Sequence, residues 1–144
     1  MYDLASRQWG STTSEGKDLR DVAYANYFPA TFGINFGIGA TSIVADYEHI
    51  EAVSIGVGAT YQVSLSKSSV ESCPKKYEIF AAIKTWENAR SANVFSRNLK
   101  KLLADPTRDW HLEQVDNNSW QLYQMSGGVK GSATLLKRDI AGGY

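Results

Sequence analysis

Cysteine is nearly absent from this chain: Cys73 is alone among 144 residues. It can form neither an internal disulfide nor a cysteine-based zinc site, a usage that fits a reducing compartment. Charge of one sign is not in excess either. Lys plus Arg and Asp plus Glu number 15 each, so the net charge is zero, and nothing marks the chain as a nucleic-acid or other polyanion binder. No stretch approaches the ~18 apolar residues of a membrane span, which excludes a spanning helix. The opening MYDLASRQWGSTTSEG has no apolar run behind a basic start. No secretory leader is therefore expected, and the cytoplasm is the default location. The chain has two histidines, His49 and His111. They are not spaced as metal ligands, so no metal and no cofactor is expected. There is no GxSxG elbow for a serine nucleophile. FGIGATS and GVGAT fit neither the dinucleotide fingerprint nor the phosphate-binding P-loop. No repeat at the ~20–50-residue periods of solenoids occurs.

What is present is enough apolar and aromatic material for one domain with a sizeable core. Four Trp, eight Tyr and five Phe are available to it. The length falls short of a complete eight-fold β/α barrel, which takes roughly 200–250 residues or more. The stretch that organises the chain is DYEHIEAVSIGVGATYQVSLSK, Asp46 to Lys67. Asp46 is placed to cap a helix whose apolar residues Tyr47, Ile50, Val53 and Val57 recur at three- and four-residue spacing. Gly56 and Gly58 are read as its stop, because glycine tolerates the left-handed backbone of many helix ends. Tyr61, Val63 and Leu65 then alternate with Gln62, Ser64 and Ser66, the period of a strand.

Around this stretch the remaining elements fall into place. Residues 1–20 read as a loop or tail with Trp9 docking it or stacking on a ligand. Asp21 to Tyr27 can form a short helix ending before Pro29. ATFGINFG puts Phe32, Ile34 and Phe36 on one strand face and Thr31, Gly33, Asn35 and Gly37 on the other, where small residues let another backbone or a ligand approach. SKSSVESC is expected to be a polar loop. A long helix follows from Pro74, with Ile79, Phe80, Ile83, Trp86 and Ala89 as its apolar stripe. Ser96 caps a second helix with Leu99, Leu102 and Leu103 inward, stopped at Asp105-Pro106. DWHLEQV and WQLYQM, joined by Asp116-Asn117-Asn118-Ser119, read as a hairpin. A second turn at Gly127-Gly128 leads to a third strand through SATLLKRDI, and the tail AGGY is expected to fray. The fold class is thus α/β: a partial β/α-barrel-like βαβα segment followed by an antiparallel β meander. Residues 1–20 form the tail, 21–105 the βα-unit region and 106–144 the start of an accessory β-domain.

FGINFGIGAT, a helix, GVGATYQVSLS and a long helix containing KTWENAR together resemble the last two β/α units of a sugar-processing TIM barrel. The hairpin WHLEQVDNNSWQLYQM resembles the start of the β-sandwich that follows such barrels in glycoside hydrolases. The likeness runs from about Tyr27 to Met125 and is one of element order rather than of a signature motif. It implies a C-terminal fragment, or one piece of a split protein, because six of the eight β/α units would be missing. It further implies saccharide as ligand, and self-association or association with the missing part.

A glycosidase needs two carboxyl groups roughly 5–10 Å apart, supplied in a barrel from the C-terminal ends of strands and the loops after them. The first such loop here, Gly37 to Ala45, has no carboxylate; Asp46 and Glu48 start the next helix. The second, Ser66 to Cys73, has Glu71, read as a solvated charge. The catalytic residues are therefore unassigned and expected upstream, which makes the chain inactive alone. Ligand contact falls to aromatic and amide side chains, which stack on sugar C–H faces and hydrogen-bond hydroxyls. The candidates are Asn35, Tyr61, Gln62 and Trp9. His49 is assigned a surface or packing role, His111 a solvent-facing one, and Trp86 and Trp110 to the core. The alternative function is a self-contained α/β module that binds saccharide or protein without catalysis.

Overall fold

The computed structural model describes the backbone of residues 30–138 and of two short strands, Tyr2–Asp3 (β1) and Gln8–Trp9 (β2), with side chains described over most of residues 37–138. In chain order the further elements are β3 (Ala30–Gly37), α1 (Val44–Val57), β4 (Ala59–Ser64), α2 (Lys67–Ser72), α3 (Lys76–Ser91), α4 (Arg97–Leu103), β5 (Asp109–Asp116), β6 (Ser119–Ser126) and β7 (Val129–Lys137). β3 and β4 pair in parallel across the α1 crossover, whereas β5, β6 and β7 form an antiparallel meander. The fold is mixed α/β with a C-terminal β meander. β1 and β2 form an antiparallel pair inside the stretch expected to be a tail. The proposed helix over Asp21–Tyr27 and the AGGY tail lie outside the described residues.

α1 is the central element, and its sequence explains why. Tyr47, Ile50, Val53 and Val57 lie on one side and pack with Ile38, Ala59 and Ile79. Ala52 and Ile55 lie on the other and pack with Trp86, Phe95, Leu103 and the meander residues Trp110, Leu112, Trp120 and Leu122. Between these apolar sides the polar Glu48, His49, Glu51 and Ser54 are buried too. A helix buried all round belongs inside a structure rather than on its surface. The parallel pair and the meander are thus separate layers on either side of a helical middle.

Three local rules shape the middle layer differently from the sequence expectation. Ile43, not Asp46, is the N-cap of α1, with extended backbone and no side-chain hydrogen bond; Asp46 sits in the first turn, where the helix dipole favours a negative charge. SKSSVESC is not a loop: Ser66 and Ser69 form a reciprocal capping box, with Ser69 N–H donating to Ser66 Oγ (3.2 Å) and Ser66 N–H to Ser69 Oγ (3.1 Å), and this starts α2. α3 begins at Lys76, after Pro74. Its buried face is Ile79, Trp86 and Ala89, while Phe80 is 36% exposed and Leu102 of α4 43% exposed, so neither belongs to the inner stripe. Ser96 does cap α4, its Oγ accepting from Leu99 N–H.

The meander follows its turn chemistry closely. Asp116 Oδ1 accepts from Asn118 N–H at 2.8 Å and fixes the first turn. Gly127 and Gly128 both take positive φ, 56° and 81°, as a two-residue hairpin turn twisted to match its strands requires. Trp110, Leu112, Trp120, Leu122 and Leu136 point inward.

Gly58 ends α1 in the left-handed conformation, with φ 69°. Gly56 lies within the helix and has another purpose: a Cβ there would stand 2.3 Å from Ala104 N and 2.7 Å from Lys100 O. The bare backbone lets α4 lie directly on α1. Gly56→Ala is expected to lower the unfolding free energy by about 1–3 kcal/mol through overpacking. Urea denaturation followed by circular dichroism measures this, and wild-type stability in the variant would contradict the close approach.

Candidate functional site

Two places in the chain concentrate polar groups: the C-terminal ends of the parallel strands and the buried side of α1. At the first, the register pairs Asn35 with Gln62 and Gly37 with Ser64. The two amide residues, 27 positions apart in sequence, are thus neighbours across the sheet. Tyr61 lies in the same strand as Gln62, while Trp9 lies in β2, paired with Tyr2 of β1. The side chains of Asn35, Tyr61, Gln62 and Trp9 lie outside the described residues. The loop after β3 is drawn in by Tyr47, whose hydroxyl donates to the Gly37 carbonyl at 2.5 Å. Burial holds the Tyr47 phenol above its ordinary pKa, so it stays a donor through neutral pH. Ser42 Oγ accepts from Gly39 N–H and closes the turn that follows.

Among the described residues, three carboxylates stand near this region: Asp46, Glu48 and Glu71, of which Asp46 lies half-buried in the first turn of α1. Glu71, in the last turn of α2, is exposed and lies 4.0 Å from Lys67 one turn earlier. Glu48 starts close by but turns inward, and there it is fully engaged. Its Oε2 accepts from Trp86 Nε1–H of α3 at 2.9 Å and from Leu112 N–H of β5 at 3.1 Å. Its Oε1 lies 2.9 Å from His111 Nδ1. The Leu112 N–H is one that β5 turns away from β6, so Glu48 occupies the free edge of the sheet and ties three elements together.

His111 accordingly is only partly open to solvent, its side chain 29% exposed. Strand alternation does turn it away from Trp110 and Leu112, but α1 stands against that edge and meets it. Its Nε2 lies 3.1 Å from Glu113 Oε1, which in turn receives Lys130 Nζ of β7 at 2.5 Å. Lys130 also lies 4.8 Å over the ring of Tyr123. A continuous polar chain therefore runs from buried Glu48 to the outer surface of the meander. The hydrogen bond from Lys130, aided by that from His111, holds the Glu113 carboxyl below its ordinary range, and Glu113 holds the Lys130 ammonium above its own.

A second buried set uses the next turns of α1. Arg90 of α3 donates through Nη1 to the Ala59 carbonyl at 2.9 Å and through Nη2 to Ser54 Oγ. It faces Glu51 at 3.6 Å and Glu87 at 3.5 Å. His49, fully buried as the packing alternative required, faces Asp109 at 3.5 Å. These groups hold the middle layer to β4 and β5. The described residues contain no group of three or more His, Cys, Asp or Glu able to hold a metal ion.

No family model, no curated protein and no solved structure matches this chain. Its chemistry is therefore read from the geometry alone. No helix among the described residues is long and apolar enough to cross a membrane.

The buried node was not foreseen from the sequence, though one signal for it existed. Glu48, Glu51 and Ser54 recur every three residues beside an apolar stripe. Such a polar row usually faces water; here α3 and β5 cover it.

Two outcomes follow. Glu48→Ala strands Trp86 Nε1–H and Leu112 N–H without an acceptor and is expected to cost about 3–5 kcal/mol of stability; an unfolding midpoint equal to wild type in urea would contradict the node. Glu113 titrates below the usual carboxylate range. Its stabilisation is complete above the unfolded-state pKa and is lost as pH falls through the lowered folded value. Carboxyl ¹³C NMR checks this, and Lys130→Ala is expected to raise the Glu113 midpoint.

Proposed function

We propose that this chain is a saccharide-handling, glycoside-hydrolase-like α/β unit that lacks catalytic carboxylates of its own. The observation that carries the reading is the parallel β3–α1–β4 pair, with Asn35 beside Gln62 toward the C-terminal ends of its strands. That is the end at which barrel enzymes collect their ligand-binding groups, and amide side chains there suit sugar hydroxyls. Among the described residues the parallel sheet has two strands, whereas parallel sheets are ordinarily wider and covered on both faces. This supports association with further β/α units, supplied by another part of the protein or by a second copy. The engagement of Glu48 and Glu51 in internal contacts supports the assignment of catalysis elsewhere.

The second reading, a self-contained saccharide- or protein-binding module, is favoured by one feature. The node at Glu48 closes helices and meander on each other without any outside group. Size-exclusion chromatography separates the two: self-association supports the incomplete barrel, and a clean monomer the module.

Calorimetric titration with a panel of methyl glycosides and short oligosaccharides tests the saccharide assignment. Saturable binding is expected, weakened about tenfold, or 1.4 kcal/mol, in the Asn35→Ala, Gln62→Ala double variant. No binding to any member would overturn the assignment. Turnover of aryl glycosides by the chain alone would overturn the placement of catalysis elsewhere.

A further inference from the structure

The inner face of the meander changes character half-way along. On β6, Trp120, Leu122, Gln124 and Ser126 share one face, since side chains two apart point the same way. Trp120 and Leu122 are core, whereas Gln124 and Ser126 on the same face are polar and exposed. β7 repeats the switch: Leu136 is buried, and Thr134, opposite Leu122, is exposed. α4 spans only seven residues, and beyond it the sheet is left with a cleft of about 360 Å³. Leu99, Leu102 and Trp110 supply its apolar wall; Gln124, Ser132 and Thr134 supply hydroxyl and amide groups.

The polar side is oriented. Arg108 Nη1 donates to Gln124 Oε1 at 3.2 Å, and Arg108 is itself held by Asp105, with Nε 3.1 Å from Oδ2. With its oxygen taken, the Gln124 amide has its N–H groups left to donate. Thr107 hydrogen bonds, followed by the contact with Arg108, keep Asp105 below its ordinary pKa and therefore charged, so the Arg108 charge is matched outside the cleft. Among the described residues, no charged side chain lines the cleft. Trp110, on the apolar wall, also has a buried indole N–H with no hydrogen-bond partner among the described residues.

We propose that this cleft between α4 and the β6–β7 end of the meander is a second binding site, for a single neutral pyranose unit. An apolar wall facing a row of amide and hydroxyl groups matches a ring that has C–H faces and an equatorial rim of hydroxyls. The absence of lining charge disfavours phosphorylated, acidic or amino sugars. The volume lies at the small end of the ~300–1,000 Å³ usual for small-molecule sites, which suits one sugar ring better than a polymer. The site is independent of the β3–β4 strand ends and does not rest on the barrel reading.

The test is a ¹⁵N NMR titration of the Asn35→Ala, Gln62→Ala double variant with the methyl glycosides of glucose, galactose, mannose and xylose. That background separates the cleft from the proposed strand-end site. Saturable shifts are expected at the Trp110 indole and Gln124 side-chain N–H signals for at least one glycoside. Gln124→Leu, an exposed position, is expected to weaken that binding about tenfold, and Leu102→Trp to abolish it by filling the cleft. Circular dichroism confirms that both variants fold. Absence of saturable shifts with all four glycosides would overturn the proposal, as would an unchanged affinity in Gln124→Leu. Saturation of the same signals by a leucine-containing peptide but by no glycoside would overturn it too, and would reassign the cleft to a protein partner.

Discussion

A single buried carboxylate holds the layers of this protein in register. Glu48 accepts from an indole of α3 and from a backbone amide of β5, and meets the imidazole of the adjoining residue. Burial of a carboxylate is costly unless it is hydrogen-bonded on every side. Hydrophobic packing would tolerate small slips of the meander over the helices, because Trp110, Leu112 and Trp120 present broad, non-directional surfaces. Glu48 does not tolerate them: a shift of one residue along β5 would bring to the carboxylate a residue whose N–H points toward β6 instead of the Leu112 amide. The carboxylate thereby adds direction to a core that supplies the bulk of the stability.

The same arrangement explains why the titratable groups of α1 belong to architecture. Glu48, Glu51 and Ser54 form one row down the helix, and each turn reaches a different neighbour: β5 and α3 first, then Arg90 and, through it, β4. The row is thereby spent on contacts between the layers.

The elements that could be read from the sequence are those governed by local rules. The hairpin at Asp116–Ser119, the glycine turn at Gly127-Gly128 and the Ser96 cap all rest on residues within a few positions of one another, and the crossover from β3 to β4 follows from the alternation of strand and helix. The misread elements depend on distant partners or on close competitors. SKSSVESC is polar enough for a loop, yet a reciprocal serine pair nucleates α2. Phe80 fits the apolar period of α3 but falls at the rim of the packed face. His111 obeys strand alternation and is still half-buried, because Glu48, 63 residues earlier in the chain, lies on a helix that covers the edge of its strand. The pairing of Asn35 with Gln62 was implicit in the parallel order, but its register is set by a ladder with an irregularity between Thr31 and Asn35 that no local signal marks.

Enclosure of α1 has a consequence for how the protein comes apart. A surface helix can fray or detach while the rest persists, but α1 has apolar contacts in both packed clusters. Loss of either layer would leave half of it, including a charged row, unsupported in water. Opening of the meander and opening of the parallel pair are thereby energetically linked through one fourteen-residue helix that contributes residues to both clusters. In hydrogen exchange, the amides of α1 would then mark the slowest, most cooperative unit of the molecule, and the two outer layers would share its fate rather than unfold by themselves.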